Sequence, residues 1–349
     1  MEIVDSLRVD YVGTLSFHDY DKERNIYLME DGQKGVIFLI GESGEVLARF
    51  PLSSDGPNAV RSPKAFGLFD GKITIMDSQK GFLVFSDTGD ITERIEIPGP
   101  YFYVSTLRTP FFEWGDGWAY IRPERGKVDY GSRMEMFRKT YSSPILEVFD
   151  PASQTVCHTM PFPPETIYQD GDFYHWTYPH IVKNGEEWLL QLLGELKYHV
   201  YHQMGNEVLF QHTVDLDIKD AVPILGVPFE KMDDLYELWK YIYFGKIENL
   251  YVLDENILVQ YTKGVKEETV RQHDRSNPEG WASFMQTVDQ HIAVLDKSHQ
   301  VLQKDIPVPK GLVLTQVVND NDEILALKDQ EYFGVEEDHV TFYMLKLKQ

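Results

Sequence analysis

The chain of 349 residues carries one cysteine, Cys157. A single thiol excludes an intramolecular disulfide framework and a thiolate metal cluster, and Cys157 itself reads as a small apolar residue on a strand. Long apolar runs are lacking as well. None approaches the roughly 18 residues of a membrane-spanning helix, and "MEIVDSLRVDYVG" has neither the basic start nor the apolar stretch of an export signal. Basic residues are scarce, 33 Lys and Arg against 56 Asp and Glu, and the net charge of −23 repels DNA, RNA and anionic membrane surfaces. Nucleic acid is not an expected partner. GxSxG, HExxH and HxExH, the spacings of a serine nucleophile or a zinc site, are also missing.

What is present is one phrase written twice. "IYLMEDGQKGVIFLIGESGEVLARF" begins at Ile26, and "ITIMDSQKGFLVFSDTGDITERIEI" follows from Ile73. Gly35 matches Gly81 and Gly44 matches Gly89, at spacings of 46 and 45 residues. Short alternating apolar runs separated by such turns read as strand, turn, strand, hairpin, strand. The preceding runs "VGTLSF" and "SPKAFGLF" bring each unit to four strands, and a four-stranded unit of this period is the blade of a propeller.

Looser copies follow, and the sixth stops one strand short. Met1 to Val9 supplies the missing outer strand, so the expected fold is all-β: one six-bladed β-propeller, its ring closed by the N-terminal strand. The expected blades cover approximately 10–52, 59–97, 103–162, 174–217, 248–308, and 311–349 with 1–9. A helical insertion is expected at 218–246. Its core is Glu230 to Phe244, where Met232, Leu235, Trp239 and Ile242 fall on one face after Pro228. The alternatives are a β-sandwich holding two similar hairpins and, with only one helical segment to support it, a parallel α/β fold.

With "DGPNAVRSPKAFGLFDGKITIMDSQKGFLVFSDTGD" at its centre, the pattern resembles the six-bladed propeller families of unknown function common among Bacteroidetes lipoproteins. It is also distantly similar to NHL-type and TolB-like propellers. The looser resemblance spans nearly the whole chain. It implies a periplasmic or cell-surface protein, often lipid-tethered near the N-terminus, although this chain shows neither the signal nor the anchoring cysteine. No catalytic motif comes with it.

In a propeller, the loops between second and third strands share one face with the crossovers between blades. The long excursions 122–142, 218–246 and 262–287 all fall there, whereas "DGK", "GDG", "DEN", "SGE", "TGD" and "MGNE" on the opposite face are minimal. Long loops on a rigid scaffold are where ligands bind, so this top face is the expected working surface, and a tether upstream of Met1 would leave it pointing away from a membrane.

Segment 122–142 gathers Arg122, Arg125, Lys127, Arg133, Arg138 and Lys139 against Glu124, Asp129 and Glu135, a basic island suited to an anionic ligand or to neutralising acidic neighbours. Tyr101, Phe102, Tyr103, Tyr168, Tyr174, Trp176 and Tyr178 crowd two crossovers and suit sugars or peptide side chains, or packing between blades, with Trp176 the first choice for an exposed platform. Arg271, His273, Asp274 and Arg275 lie together in the third excursion, where His273 is a candidate contact and not a catalytic base. His199 and His202 face opposite sides of a strand, and His175 and His180 are five apart across a proline, so neither pair forms a metal signature.

The expected function is non-catalytic binding of a protein, peptide or carbohydrate, with no cofactor. The alternative is a calcium-dependent hydrolase or lactonase in which Asp10, Asn58, Asp172, Glu248 and Asn249 gather at the channel mouth around the ion.

Overall fold

The computed structural model describes residues 1–56, 58–69, 71–106, 111–115, 117–125 and 131–348. Lys127 and Asp129 of the basic segment, and Pro57 of the loop "GPNAVRSP", lie outside the described residues. The described residues form two compact units, one drawn from 1–99 and 308–348, the other from 100–106 and 111–307.

In the first unit, β1 (Glu2–Val9) is followed by β2 (Ser16–Asp21), β3 (Ile26–Asp31), β4 (Val36–Gly41) and β5 (Val46–Pro51), the last four forming an antiparallel sheet in chain order. β6 (Pro63–Phe69), β7 (Lys72–Asp77), β8 (Gly81–Phe85) and β9 (Ile91–Ile95) form its counterpart. The third strands "VIFLIG" and "GFLVF" are buried at every position, whereas the fourth strands are largely exposed. A strand covered on both faces is written as an unbroken apolar run, and that explains why these two segments stand out in the sequence. Gly44 and Gly89 close the last turn of each sheet at φ 91° and 86°. A Cβ would meet the Arg8 carbonyl oxygen at 1.9 Å in the first and the Phe50 ring at 2.5 Å in the second, so glycine is required at both.

Among the described residues, the second unit holds three more four-stranded sheets and one two-stranded sheet. β10 (Phe112–Trp114), β11 (Gly117–Ile121), β12 (Leu146–Asp150) and β13 (Thr155–Thr159) form one, with α1 (Arg133–Thr140) between β11 and β12. Ser132 caps α1 by accepting from the Glu135 N–H at 3.2 Å, and its hydroxyl donates to the Glu135 carboxylate at 3.2 Å. Cys157 lies on β13 as expected, but faces solvent. After the short β14 (Asp172–Phe173) come β15 (His180–Asn184), β16 (Glu187–Gln191), β17 (Lys197–Met204) and β18 (Glu207–Asp215). β19 (Val227–Pro228) pairs back with β14, and a 3-10 turn (Phe229–Asp234) leads into α2 (Leu235–Trp239).

The helix is shorter than the sequence suggests. Tyr243 and Phe244 belong to β20 (Tyr243–Val252), which pairs with β21 (Asn256–Val265) from Tyr243 opposite Val265 onward. Gly245 and the backbone ladder outweigh helical periodicity there, so the fifth sheet begins before residue 248. Of the expected apolar stripe, Met232 and Leu235 are buried, while Trp239 is half-buried against the same core. α3 (Glu267–Val270) and α4 (Pro278–Met285) separate β21 from β22 (Gln290–Asp296), and β23 (Val301–Pro307) completes the sheet.

Back in the first unit, β24 (Leu312–Val318), β25 (Ile324–Lys328) and β26 (Val340–Lys346) make a sixth sheet whose fourth strand is β1. β1 runs antiparallel to β26, with Val9 opposite Val340 and Glu2 opposite Lys346, so the N-terminal strand closes the last sheet. α5 (Gln330–Phe333) interrupts β25 and β26, an insertion the repeat pattern did not reveal. Among the described residues, no helix is long and apolar enough to cross a membrane.

Candidate functional site

The basic segment neutralises its own unit. One Arg125 guanidinium nitrogen lies 2.6 and 2.9 Å from the two oxygens of Glu147, a residue with no exposed surface. Arg122 donates to the Pro144 carbonyl at 3.1 Å and faces Glu124 at 3.4 Å, while the Thr140 hydroxyl at the end of α1 donates to Glu124 at 3.0 Å. These two arginines hold buried carboxylates, because a buried charge needs a partner. Arg133 and Arg138 lie on α1 and reach the 3-10 turn: Arg133 pairs with Asp233 at 3.3 Å, Arg138 with Glu230 at 3.2 Å, and Arg138 also lies 4.1 Å from the centre of the Phe229 ring.

Of the crossover aromatics, Trp176 packs against Phe137 of α1 and Tyr168 against Tyr141 at its end, while Phe102 is exposed. Trp176 is half-buried, its ring 4.7 Å from Phe137 and 5.0 Å from Tyr103, so it is not the exposed platform expected. Tyr174 is buried, Tyr101 and Tyr103 are half-buried, and Tyr103 bridges the Glu124 backbone. The Tyr141 hydroxyl donates to the His175 carbonyl at 2.6 Å and accepts from the Tyr174 N–H at 3.0 Å. This clamp holds His175 at φ 69°. Burial, aided by the charge of Arg133, pushes the His175 imidazole down to about 4, and its Nε2 lies 2.6 Å from the Tyr236 hydroxyl. The ring is therefore neutral at neutral pH and shares one hydrogen bond with the tyrosine hydroxyl.

The excursion 262–287 is tied to α2 by two arginines. Arg275 donates to the carbonyls of Trp239, Lys240 and Ile242, at and just beyond the C-terminal end of α2. Arg271 pairs with Glu267 at 2.6 Å and lies 3.6 Å from the centre of the Tyr241 ring. Asp274 is occupied by Ser276 and Asn277 ahead of α4, and His273 faces Ser283 at 3.3 Å. The structure thus joins the three excursions into one layer of the second unit and engages the guanidinium groups internally. Among the described residues, three large apolar or aromatic side chains of that layer remain exposed: Leu225 at 44%, Tyr236 at 57% and Trp281 at 44%. The only signal for Tyr236 in the sequence is an aromatic off the apolar stripe of the predicted helix.

Of the residues proposed for calcium, Asn58 accepts from Arg94, Glu248 pairs with Lys246 at 3.2 Å, and buried Asn249 donates to Gln260 at 2.6 Å. Asp10 is exposed and Asp172 is half-buried on β14. Among the described residues, no group of three or more His, Cys, Asp or Glu side chains is placed to hold a metal ion.

The first unit contains a cavity of about 330 Å³ that the sequence did not reveal. It opens along the first strands β2, β6 and β24, and Ser16, His18, Lys64, Phe66, Val313 and Gln316 contribute to its wall. His18 stacks on Phe66 at 4.4 Å and is held through Nε2 by Glu30 at 3.2 Å; the Gln316 amide donates to the His18 carbonyl.

The chain is similar in structure to a duf4221 family member from Bacteroides vulgatus ATCC 8482, with a TM-score of 0.69, 12% identity, and coverage of 99% of this chain and 98% of that one. This is a six-bladed β-propeller. A candidate exported protein of Bacteroides fragilis NCTC 9343 matches with a TM-score of 0.54 and 14% identity, over 100% of this chain and 94% of the other. A gluconolactonase from Xanthomonas campestris is more distant, at a TM-score of 0.47 and 8% identity over 97% and 88% of the two chains, and carries no argument about chemistry. No protein-family model matches the sequence, and no curated protein matches it either. The resemblance read from the repeat, to propellers of unknown function in Bacteroidetes, holds at the level of fold.

Proposed function

We propose that this propeller is a non-catalytic binding module of the cell envelope that engages a protein or peptide through the insertion layer of its second unit. The observation that carries the reading is the division of labour in that layer. Arg122, Arg125, Arg133, Arg138, Arg271 and Arg275 are committed to neighbouring carboxylates, rings or carbonyls, while Leu225, Tyr236 and Trp281 stay exposed on elements those contacts hold in place. Large apolar and aromatic side chains on a supported surface are the usual anchors of protein recognition. The envelope location is supported by the similarly folded candidate exported protein.

The test is binding of the purified chain to envelope proteins, a peptide array and a glycan array, with Tyr236→Ala and Trp281→Ala compared at unchanged melting temperature. Both variants should lose roughly tenfold or more in affinity for a protein or peptide ligand, as expected of anchor residues. Arg133→Ala with Arg138→Ala should bind as the parent does. A ligand whose affinity ignores Tyr236 and Trp281 but falls with the arginines overturns the proposal.

A further inference from the structure

We propose that the cavity of the first unit is a second, independent site that takes a small uncharged molecule carrying an O–H or N–H donor on an apolar body. Its volume, about 330 Å³, lies within the roughly 300–1,000 Å³ of small-molecule pockets. Its charges are already answered. Among the described residues, no Asp or Glu lines the cavity, and both basic groups of the lining are engaged: His18 by the Glu30 carboxylate at 3.2 Å, and Lys64 by a partner of its own. An ion of either sign would therefore leave its hydration shell for a wall that offers no uncompensated opposite charge. An uncharged ligand avoids that penalty.

The wall asks the ligand for a donor. Gln316 donates through its amide nitrogen to the His18 carbonyl, which can only accept, so the orientation of the amide is settled. Its Oε1 is then an acceptor, and it is buried without a hydrogen-bond partner among the described residues. Such an orphan is stabilised by a ligand that donates to it. His18 is held in a similar sense: an ionised carboxylate at Nε2 requires the hydrogen there, which leaves Nδ1 of the neutral ring as an acceptor. Much of the remaining wall is apolar. Phe66 stacks on His18 at 4.4 Å, Phe17 meets Phe342 edge to face at 4.6 Å, and Val313, 57% exposed, lies opposite the half-buried Leu327. Covering Val313 and Leu327 removes apolar surface from water, so the ligand's body lies against them and its donor against Gln316 and His18.

The experiment is calorimetric titration of the full chain with cyclohexanol and phenol. Each is set beside a donor-free counterpart, cyclohexanone or anisole, and beside two ions, cyclohexanecarboxylate and cyclohexylammonium. At least one hydroxyl compound should bind saturably, with its donor-free counterpart and both ions weaker by about tenfold, the loss of one hydrogen bond or the cost of an unanswered charge. Val313→Trp, which fills the cavity from an exposed position, should reduce affinity about tenfold or more at unchanged melting temperature. Gln316→Met, which keeps the length of the side chain and removes the acceptor, should narrow the gap between the hydroxyl compound and its donor-free counterpart. Tyr236→Ala and Trp281→Ala should bind the hydroxyl compound as the parent does, which separates this site from the protein-binding surface. The proposal is overturned if neither hydroxyl compound binds at millimolar concentration, if the donor-free counterpart or either ion binds equally well, or if Val313→Trp binds as the parent does.

Discussion

Asp31 and Asp77 occupy the same place in successive sheets, 46 residues apart, and each ties the turn after its strand to the segment leading into its own sheet. Asp31 Oδ1 accepts from the Gln33 and Lys34 N–H groups at 3.0 Å, and its other oxygen accepts from the Tyr11 hydroxyl at 2.6 Å. Asp77 Oδ1 accepts from Gln79 and Lys80 at 2.9 and 3.1 Å, and its Oδ2 from the Arg61 and Ser62 N–H groups at 2.9 and 3.0 Å. The matching lysines reach back as well, Lys34 to the Val12 carbonyl and Lys80 to that of Ala59. The repeated phrase therefore encodes a clamp as well as a pattern of strands.

Asp77→Ala removes the side-chain acceptor of four backbone N–H groups at a fully buried position, of which only Lys80 keeps another acceptor, the residue-77 carbonyl at 3.2 Å, and should cost about 3 kcal/mol. Asp77→Asn, which keeps one oxygen, should cost less. Urea unfolding at constant m-value measures both, and an Asp77→Ala midpoint equal to that of the parent removes the clamp from the account.

Two carboxyls give stability opposite dependences on pH. Burial raises Asp19 to about 6 against the hydrogen bonds from the Leu68 and Tyr20 N–H groups, and the charge of Asp21 adds to the rise. The folded state then holds this proton more tightly than the unfolded chain, so the contribution is complete below about pH 4 and is lost as pH rises through 6. Asp31 is the reverse. Burial works against its charge, but the Tyr11 hydroxyl, the Lys34 N–H and ammonium, and the Gln33 N–H hold it below the ordinary value, so its contribution is present above about pH 4 and lost in acid. Asp19→Asn should flatten the fall in stability between pH 4 and 6, measured as urea midpoints at half-unit intervals; an unchanged slope assigns that fall to other groups.

Removing either of two arginines should have very different consequences. Arg125→Ala leaves the buried Glu147 with only the Tyr120 hydroxyl at 3.3 Å and His158 at 3.7 Å and should cost about 3 kcal/mol, whereas Arg138→Ala, from a half-exposed pair, should cost under about 1 kcal/mol. Equal costs would mean that Glu147 is satisfied without Arg125.

Melting curves in excess EDTA and in millimolar calcium should superimpose, since Asn58, Glu248 and Asn249 are engaged with protein partners. A ligand selective for the folded state raises stability by about 2.7 kcal/mol at one hundred times its dissociation constant, so a calcium-dependent rise of that order would restore the carboxylate site.

Strand, turn and blade were legible because each is local. "VIFLIG" and "GFLVF" announce strands buried on both faces, the glycines mark turns at positive φ, and "MEIVDSLRV" had no other place to pair. The long excursions were legible as interruptions of the repeat. The end of the helix near Trp239 was not, because Tyr243 continues a helical apolar period until Val265 offers it a strand partner 22 residues away. α5 escaped because its four residues are too few for a period to show.

The sequence by itself determined the repeating unit, its strand order and the positions of its insertions, since periodicity and turn chemistry act over a few residues. Only the tertiary structure decided which charged and aromatic residues remain free to meet a ligand. Arg125 and Arg138 are equivalent as letters, but one is committed to a buried carboxylate and the other rests on a ring. Trp176 is half-buried against Phe137 and Tyr236 is exposed, and a cavity forms where three strands far apart in the chain bring His18, Lys64 and Val313 into its lining. Exposure and charge pairing depend on neighbours distant in the chain, and composition does not record them.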